Sequence, residues 1–254
     1  MVKLENVSMA YGRGAAAVRA IEQVSLEIAQ GEFIAVVGPS GCGKSSLMRL
    51  ISGLHPPASG NLSLEGKPIA GPLKSVGMAF QNSNLLPWRN AIENVLLPLE
   101  IVEPYRSGFS KQKYAPKAKA LLESVGLQGF VEKYPWELSG GMQQRTSICR
   151  ALIHEPEMLL LDEPFGALDA FTREELWCAL RDLQAARKVT VMLVTHDLRE
   201  AVFLADTVYV MSSRPGRIVK RREVKIPRPR ELEVTYTQEF QDIVHELRTL
   251  IGKH

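Results

Sequence analysis

The stretch Gly38-Pro39-Ser40-Gly41-Cys42-Gly43-Lys44-Ser45 fits the spacing G-x-x-x-x-G-K-[ST] in full. Glycines at this spacing let backbone N–H groups curl around an anion with no Cβ in the way. A helix starting there points the positive end of its dipole at the same anion. Lys44 is placed to reach the β- and γ-phosphates of a nucleotide, and the Ser45 hydroxyl to bind Mg²⁺.

Two later stretches end apolar runs on groups that act on phosphates. "MLLLDEP" closes on Asp162 and Glu163. Asp162 is suited to hold Mg²⁺, directly or through water, and Glu163 to polarise a water once the backbone turns. The plainer alternative is a solvated strand exit. "VTVMLVTHD" delivers Thr195, His196 and Asp197. Ligands of parallel sheets collect at the carboxyl ends of strands, so His196 is expected to touch the γ-phosphate or the attacking water. A second small-residue turn, Ser139-Gly140-Gly141 in "PWELSGGMQQR", precedes an apolar-patterned helix and also suits an anion. The chain therefore carries two anion-binding turns, and the first does not explain the second.

The elements that must position these groups alternate. Residues 2–36 read as β-rich, with "GEFIAVVG" the clearest buried strand, and a helix is expected over about 43–53. "GNLSLEGKPI" reads as a hairpin turning at Glu65-Gly66, and "VGMAFQ" as a short strand. Residues 88–157 switch to helical periodicity and read as a helical subdomain. Strand signals return in "MLLLDEP", "VTVMLVTHD" and "TVYVMSS". This order predicts an α/β core with a mainly parallel sheet. The tail "TQEFQDIVHELRTLI" sets Phe240, Ile243, Val244, Leu247 and Leu250 on one helical stripe.

Composition sets outer bounds. The chain has 254 residues, 45% hydrophobic, with a net charge of +3, which is no signature of nucleic-acid binding. Cys42, Cys149 and Cys178 are far apart and odd in number, and read as reduced thiols. No apolar run approaches the ~20 residues of a membrane-spanning helix. The N-terminus lacks a secretory apolar region, and no [NT]KxD segment for guanine is evident.

Taken in order, "GPSGCGKSS", Gln81 in "AFQ", "LSGGMQQR", "LLLDEP", "ALD" at 167–169 and His196 resemble the ATP-binding subunit of an ABC transporter. The resemblance implies a P-loop NTPase (RecA-like) core over 2–233, with an N-terminal antiparallel β region, the helical subdomain inserted, and a C-terminal helical tail at 234–254. It accounts for the second turn: two copies face head to tail, and Ser139, Gly140, Gly141 and Gln143 of one cover the ATP held by the other. Tyr11 matches the aromatic that stacks on adenine. Gln81 matches the glutamine that senses Mg²⁺ and water, Asp169 the loop touching the opposite copy, and Ser46 an α-phosphate contact. Lys44, Gln81, Glu163 and His196 are the implied catalytic set, with Ser45, Gln81 and Asp162 on the metal.

"LLPWRNAIENV" and "VMSSRPGRIV" resemble the importer branch for nitrate, taurine and sulfonates. Implied partners are a second copy, two membrane-spanning permease subunits and, indirectly, an extracytoplasmic solute-binding protein. The implied place is the cytoplasmic face of the inner membrane. Leu85, Leu86 and Trp88 would suit a permease-facing groove; ordinary core packing is the alternative. "RPGRIVKRREVKIPRPR" reads as a solvated hairpin, with a lipid contact as the second reading. A non-transport ATPase on the same cassette remains the alternative function, and a small-metabolite kinase is disfavoured by the complete "LSGGMQQR".

Overall fold

The computed structural model describes residues 1–12, 17–166 and 168–252; Ala167, at the head of the "ALD" stretch, lies outside them. In chain order the first elements are β1 (Val2–Tyr11), β2 (Val18–Ile28), β3 (Phe33–Val37), α1 (Lys44–Ile51), β4 (Ser59–Leu64), β5 (Lys67–Pro68) and β6 (Val76–Phe80). Next come α2 (Ala91–Ile101), α3 (Lys111–Glu123), α4 (Gly140–Leu152), β7 (Met158–Asp162) and α5 (Ala170–Arg187). The chain closes with β8 (Thr190–Val194), α6 (Leu198–Leu204), β9 (Thr207–Met211), β10 (Ile218–Glu223) and α7 (Gln238–Gly252).

These form two compact units, 1–73 with 190–254, and 74–189. In the first, β2, β1, β4 and β5 make an antiparallel sheet in that order. The hairpin turns where expected: Glu65 and Gly66 both have positive φ, 51° and 76°, the geometry that matches strand twist in a two-residue turn. Beside this sheet β3 runs between β8 and β9, parallel to both, and β10 pairs antiparallel with β9. Every residue of β3, β8 and β9 is buried. That is why these strands read as continuous apolar runs with no polar face.

In the second unit β6 and β7 pair in parallel, with Phe80 opposite Asp162. The helices expected between them are α2, α3 and α4. Asn90 caps α2 reciprocally, its side chain accepting from the Glu93 N–H at 3.0 Å while Glu93 accepts from the Asn90 N–H at 3.3 Å. Leu85 and Leu86 are half-buried, whereas Trp88 is 70% exposed, so core packing does not account for the tryptophan.

The tail forms α7 with Phe240, Ile243 and Leu247 buried and Val244 and Leu250 half-buried, as its stripe predicts. Among its cations the basic stretch departs from the expectation at one residue. Its first half does pair as β10, but Arg230 is 2% exposed. Its guanidinium donates to the carbonyls of Val202, Phe203, Ala205, Val224 and Ile226 at 2.7–3.1 Å. It thereby caps the C-terminal end of α6, where helical carbonyls have no partner of their own and a cation is favoured. Burial pulls its pKa down to about 10.

Candidate functional site

In the first unit β3 ends at Val37 and the chain enters the glycine-rich loop. Gly43 adopts φ 107° and sits against β2: a Cβ there would lie 2.7 Å from the Ala20 carbonyl oxygen. No side chain caps the start of α1. A helix N-terminus without a side-chain cap, led by left-handed glycines, has the shape and polarity of an anion cradle. Lys44 is buried and donates from Nζ to the carbonyls of Gly38 and Pro39, each at 2.9 Å. Its ammonium is thereby held over the loop that a phosphate would enter. Pro39 is half-buried and Ser40, Gly41 and Ser45 are exposed. Burial pushes the Cys42 thiol up, with Lys44 opposing it, so Cys42 packs as a neutral thiol.

Tyr11 and Ser46 meet directly, hydroxyl to hydroxyl at 3.2 Å, and Arg49 donates to the Tyr11 oxygen at 3.1 Å. The Tyr11 ring stands edge-on to His55 with centroids 5.5 Å apart. His196 is exposed just past β8, and the Thr195 N–H bonds to Val36 of β3 at 3.2 Å. His196 and the glycine-rich loop therefore leave the same edge of two adjacent parallel strands. Its turn is held on both sides. The Asp197 N–H bonds to the Thr195 hydroxyl at 2.9 Å, and the Asp197 carboxylate caps α6 at the Arg199 N–H, 2.8 Å. Thr195 in turn hydrogen-bonds the buried Glu200 carboxylate.

In the second unit Gln81 and Glu163 each follow directly on the register pair Phe80 and Asp162, so both leave the same end of two adjacent parallel strands. Glu163 has φ 47°, so the chain turns sharply there, as a carboxylate redirected from the strand requires. Ser139 caps α4, accepting from the Met142 N–H at 3.3 Å, and both Ser139 and Gly140 are exposed. Gln143 braces the turn before it, donating to Pro135 and Leu138 at 2.9 and 3.2 Å and accepting from Ser83 at 3.2 Å. Asp169 caps α5, and its carboxyl is held below the usual range first by the Thr172 N–H, then by the Thr172 hydroxyl.

Sequence reasoning missed the residues that hold these groups. Gln144 donates to the Phe80 carbonyl at 2.9 Å, and Arg150 to those of Ser83 and Asn84 at 2.6 and 2.9 Å. Both lie on α4, so the helix behind the second small-residue turn also anchors the chain after Gln81. Their spacing from Ser139 along a helix was the available signal.

A family model described as ABC transporter matches residues 21–166. The chain is 41% identical over 249 residues to the aliphatic sulfonates import ATP-binding protein SsuB of Bacillus licheniformis, covering 92% of this chain and 94% of that one. It is 46% identical over 202 residues to the taurine import ATP-binding protein TauB of Yersinia pestis bv. Antiqua, covering 80% and 77%. Among solved structures, the ATP-binding cassette MJ0796, a dimer in a post-hydrolysis state bound to ADP and Pi, superposes with a TM-score of 0.78 at 33% identity, covering 89% of this chain and all of that one. A family model over more than half of the chain and relatives at 41–46% identity agree: this chain belongs to the ABC transporter family.

Proposed function

We propose that this chain is the ATP-hydrolysing subunit of an importer for a small anionic solute of the sulfonate or taurine type. The observation that carries it is near-full-length similarity to a sulfonate import subunit, at 41% identity, in a chain that keeps every expected nucleotide motif. ATP is the substrate. Gly38 to Ser46 cradle its phosphates, Lys44 neutralises the β- and γ-phosphates, and Tyr11 stacks on the adenine. Mg²⁺ would be held by Ser45, Gln81 and Asp162 and would supply charge neutralisation on the phosphate oxygens. The serine hydroxyl and the two carbonyl-type or carboxylate oxygens are donors suited to that hard cation. Glu163 accepts a proton from the attacking water, and His196 orients water and γ-phosphate.

Two copies act together, each presenting Ser139, Gly140 and Gly141 to the ATP of the other, with Asp169 at the contact. Only ATP offers the γ-phosphate to that turn, so ATP favours the closed pair and ADP does not. At the cytoplasmic face of the inner membrane the pair passes this motion to two membrane-spanning permease subunits, and an extracytoplasmic binding protein supplies the solute indirectly. Exposed Trp88 supports a partner-facing role for the segment after Gln81. No described helix is long and apolar enough to cross a membrane.

The test is the solution mass of Glu163→Gln with Mg-ATP and with Mg-ADP. The expected result is a dimer with Mg-ATP and a monomer with Mg-ADP. A monomer in both, with ATP demonstrably bound, would overturn the paired arrangement. Solute class is tested in proteoliposomes holding the chain with its permease: alkanesulfonate uptake should depend on ATP, and uptake unaffected by Glu163→Gln would overturn the assignment.

A further inference from the structure

Residues 212–217 join β9 to β10 and lie behind the glycine-rich loop. Ser212 holds this connection in shape: its N–H donates to the Arg217 carbonyl at 2.9 Å, and its hydroxyl oxygen accepts from the Arg217 N–H at 3.1 Å. Gly216 ties it to β2, donating to Ala20 and accepting from the Glu22 N–H, each at 3.0 Å. Arg217 and Arg19 converge on the Glu22 carboxylate, each at 2.6 Å. The result is a fixed base.

From this base Arg214 sends both Nε and Nη2 to the carbonyl oxygen of Gly41, at 3.2 and 3.0 Å. Two residues on, Gly216 lies against the next carbonyl in the loop. A Cβ on Gly216 would sit 2.0 Å from the Cys42 oxygen. Two consecutive carbonyls of the glycine-rich loop therefore face this connection. In a trans peptide unit the C=O and N–H point opposite ways. Holding the Gly41 and Cys42 carbonyls toward residues 214 and 216 turns the Cys42 and Gly43 N–H groups away from them. The Cys42 N–H closes the tight turn on Pro39 at 3.3 Å, and Gly43 is the N-cap residue of α1. Gly41 and Gly43 are both left-handed, at φ 74° and 107°, and glycine crosses readily to other conformations. A loop of this kind keeps one shape only if something outside it holds the peptide planes.

We infer that Arg214 is a positioning residue for nucleotide binding, locking the Gly41 peptide so that the loop keeps its anion-accepting form. The side chain is exposed and buries no apolar surface of note, so its removal acts on the loop and not on the fold. The inference rests on the reading of this loop as the ATP site.

The experiment is titration of the purified full chain with Mg-ATP, with steady-state ATP turnover measured in parallel. Arg214→Ala should weaken Mg-ATP binding about tenfold, as for loss of one charge-assisted hydrogen bond. It should raise KM for ATP, leave kcat unchanged at saturation, and leave the melting temperature where it was. Arg214→Lys should recover part of the affinity, since an ammonium reaches one carbonyl as a point charge. Lys220→Ala, an exposed cation on β10 outside this base, should bind like wild type. Unchanged binding in Arg214→Ala, or an equal loss in Lys220→Ala, would overturn the inference. Failure of the wild-type chain to bind Mg-ATP would overturn the nucleotide reading itself, and this inference with it.

Discussion

Gly141 lies so close to Thr172 that a Cβ on the glycine would sit 2.3 Å from the threonine methyl carbon. Thr172 is not free to turn aside: its N–H and hydroxyl both bond to the Asp169 carboxylate, at 3.0 and 2.7 Å. The start of α4, which carries the Ser-Gly-Gly turn, and the start of α5, which carries Asp169, are thereby set by one methyl-to-backbone contact.

Gly141→Ala should accordingly cost about 1–3 kcal/mol, the usual range for overpacking a filled contact. Thr172→Ser removes the methyl and keeps the hydroxyl that bonds Asp169. It should be nearly neutral alone and should recover most of the loss when combined with Gly141→Ala. Urea unfolding of the four proteins in a double-mutant cycle measures this coupling. Additive losses would mean that the two residues do not clash.

Arg230 presents the opposite kind of contact, a buried cation on five backbone carbonyls. Arg230→Met keeps much of the volume and removes every donor. The carbonyls at the end of α6 would then be buried without partners, so we expect a loss of about 3 kcal/mol, read as a lower urea midpoint. Arg222→Met is the comparison, because Arg222 pairs with Glu246 at 2.9 Å where both side chains are partly exposed. That change should cost less than about 1 kcal/mol.

His154, just past α4, gives the protein a pH dependence. Its Nδ1 is buried with no hydrogen-bond partner. Burial pulls the imidazole pKa below its ordinary value of 6.5; Lys117 adds to this and the Val76 backbone opposes it. The unfolded chain takes up a proton near pH 6.5 that the folded chain refuses until lower pH. Stability from this group is therefore complete above that value and declines as pH falls from there toward the folded pKa. The urea midpoint should drop as pH falls below about 6.5, and His154→Gln should make that drop smaller. An identical drop in the variant would assign the pH dependence to other groups.

The sequence by itself determined the chemistry and the family. Gly38 to Ser46, Asp162-Glu163, Ser139 to Gln143 and His196 stand at spacings that local backbone geometry makes meaningful. A glycine-rich turn needs its glycines in fixed order, and a buried parallel strand must be apolar up to the residue it delivers. The hairpin at Glu65-Gly66 and the stripe of α7 were legible for the same reason, since each depends on neighbours a few residues apart. What tertiary structure decided are contacts between residues far apart in the chain. Arg214 on Gly41, Gly216 on Cys42, Thr172 on Gly141 and the burial of Arg230 within a basic run carry no local pattern. A glycine that allows a close approach looks in sequence like one that allows a turn. An arginine satisfied by five carbonyls looks like one satisfied by water. Only the folded chain shows which surface each one meets, because its partner is chosen by the packing of whole elements and not by the residues beside it.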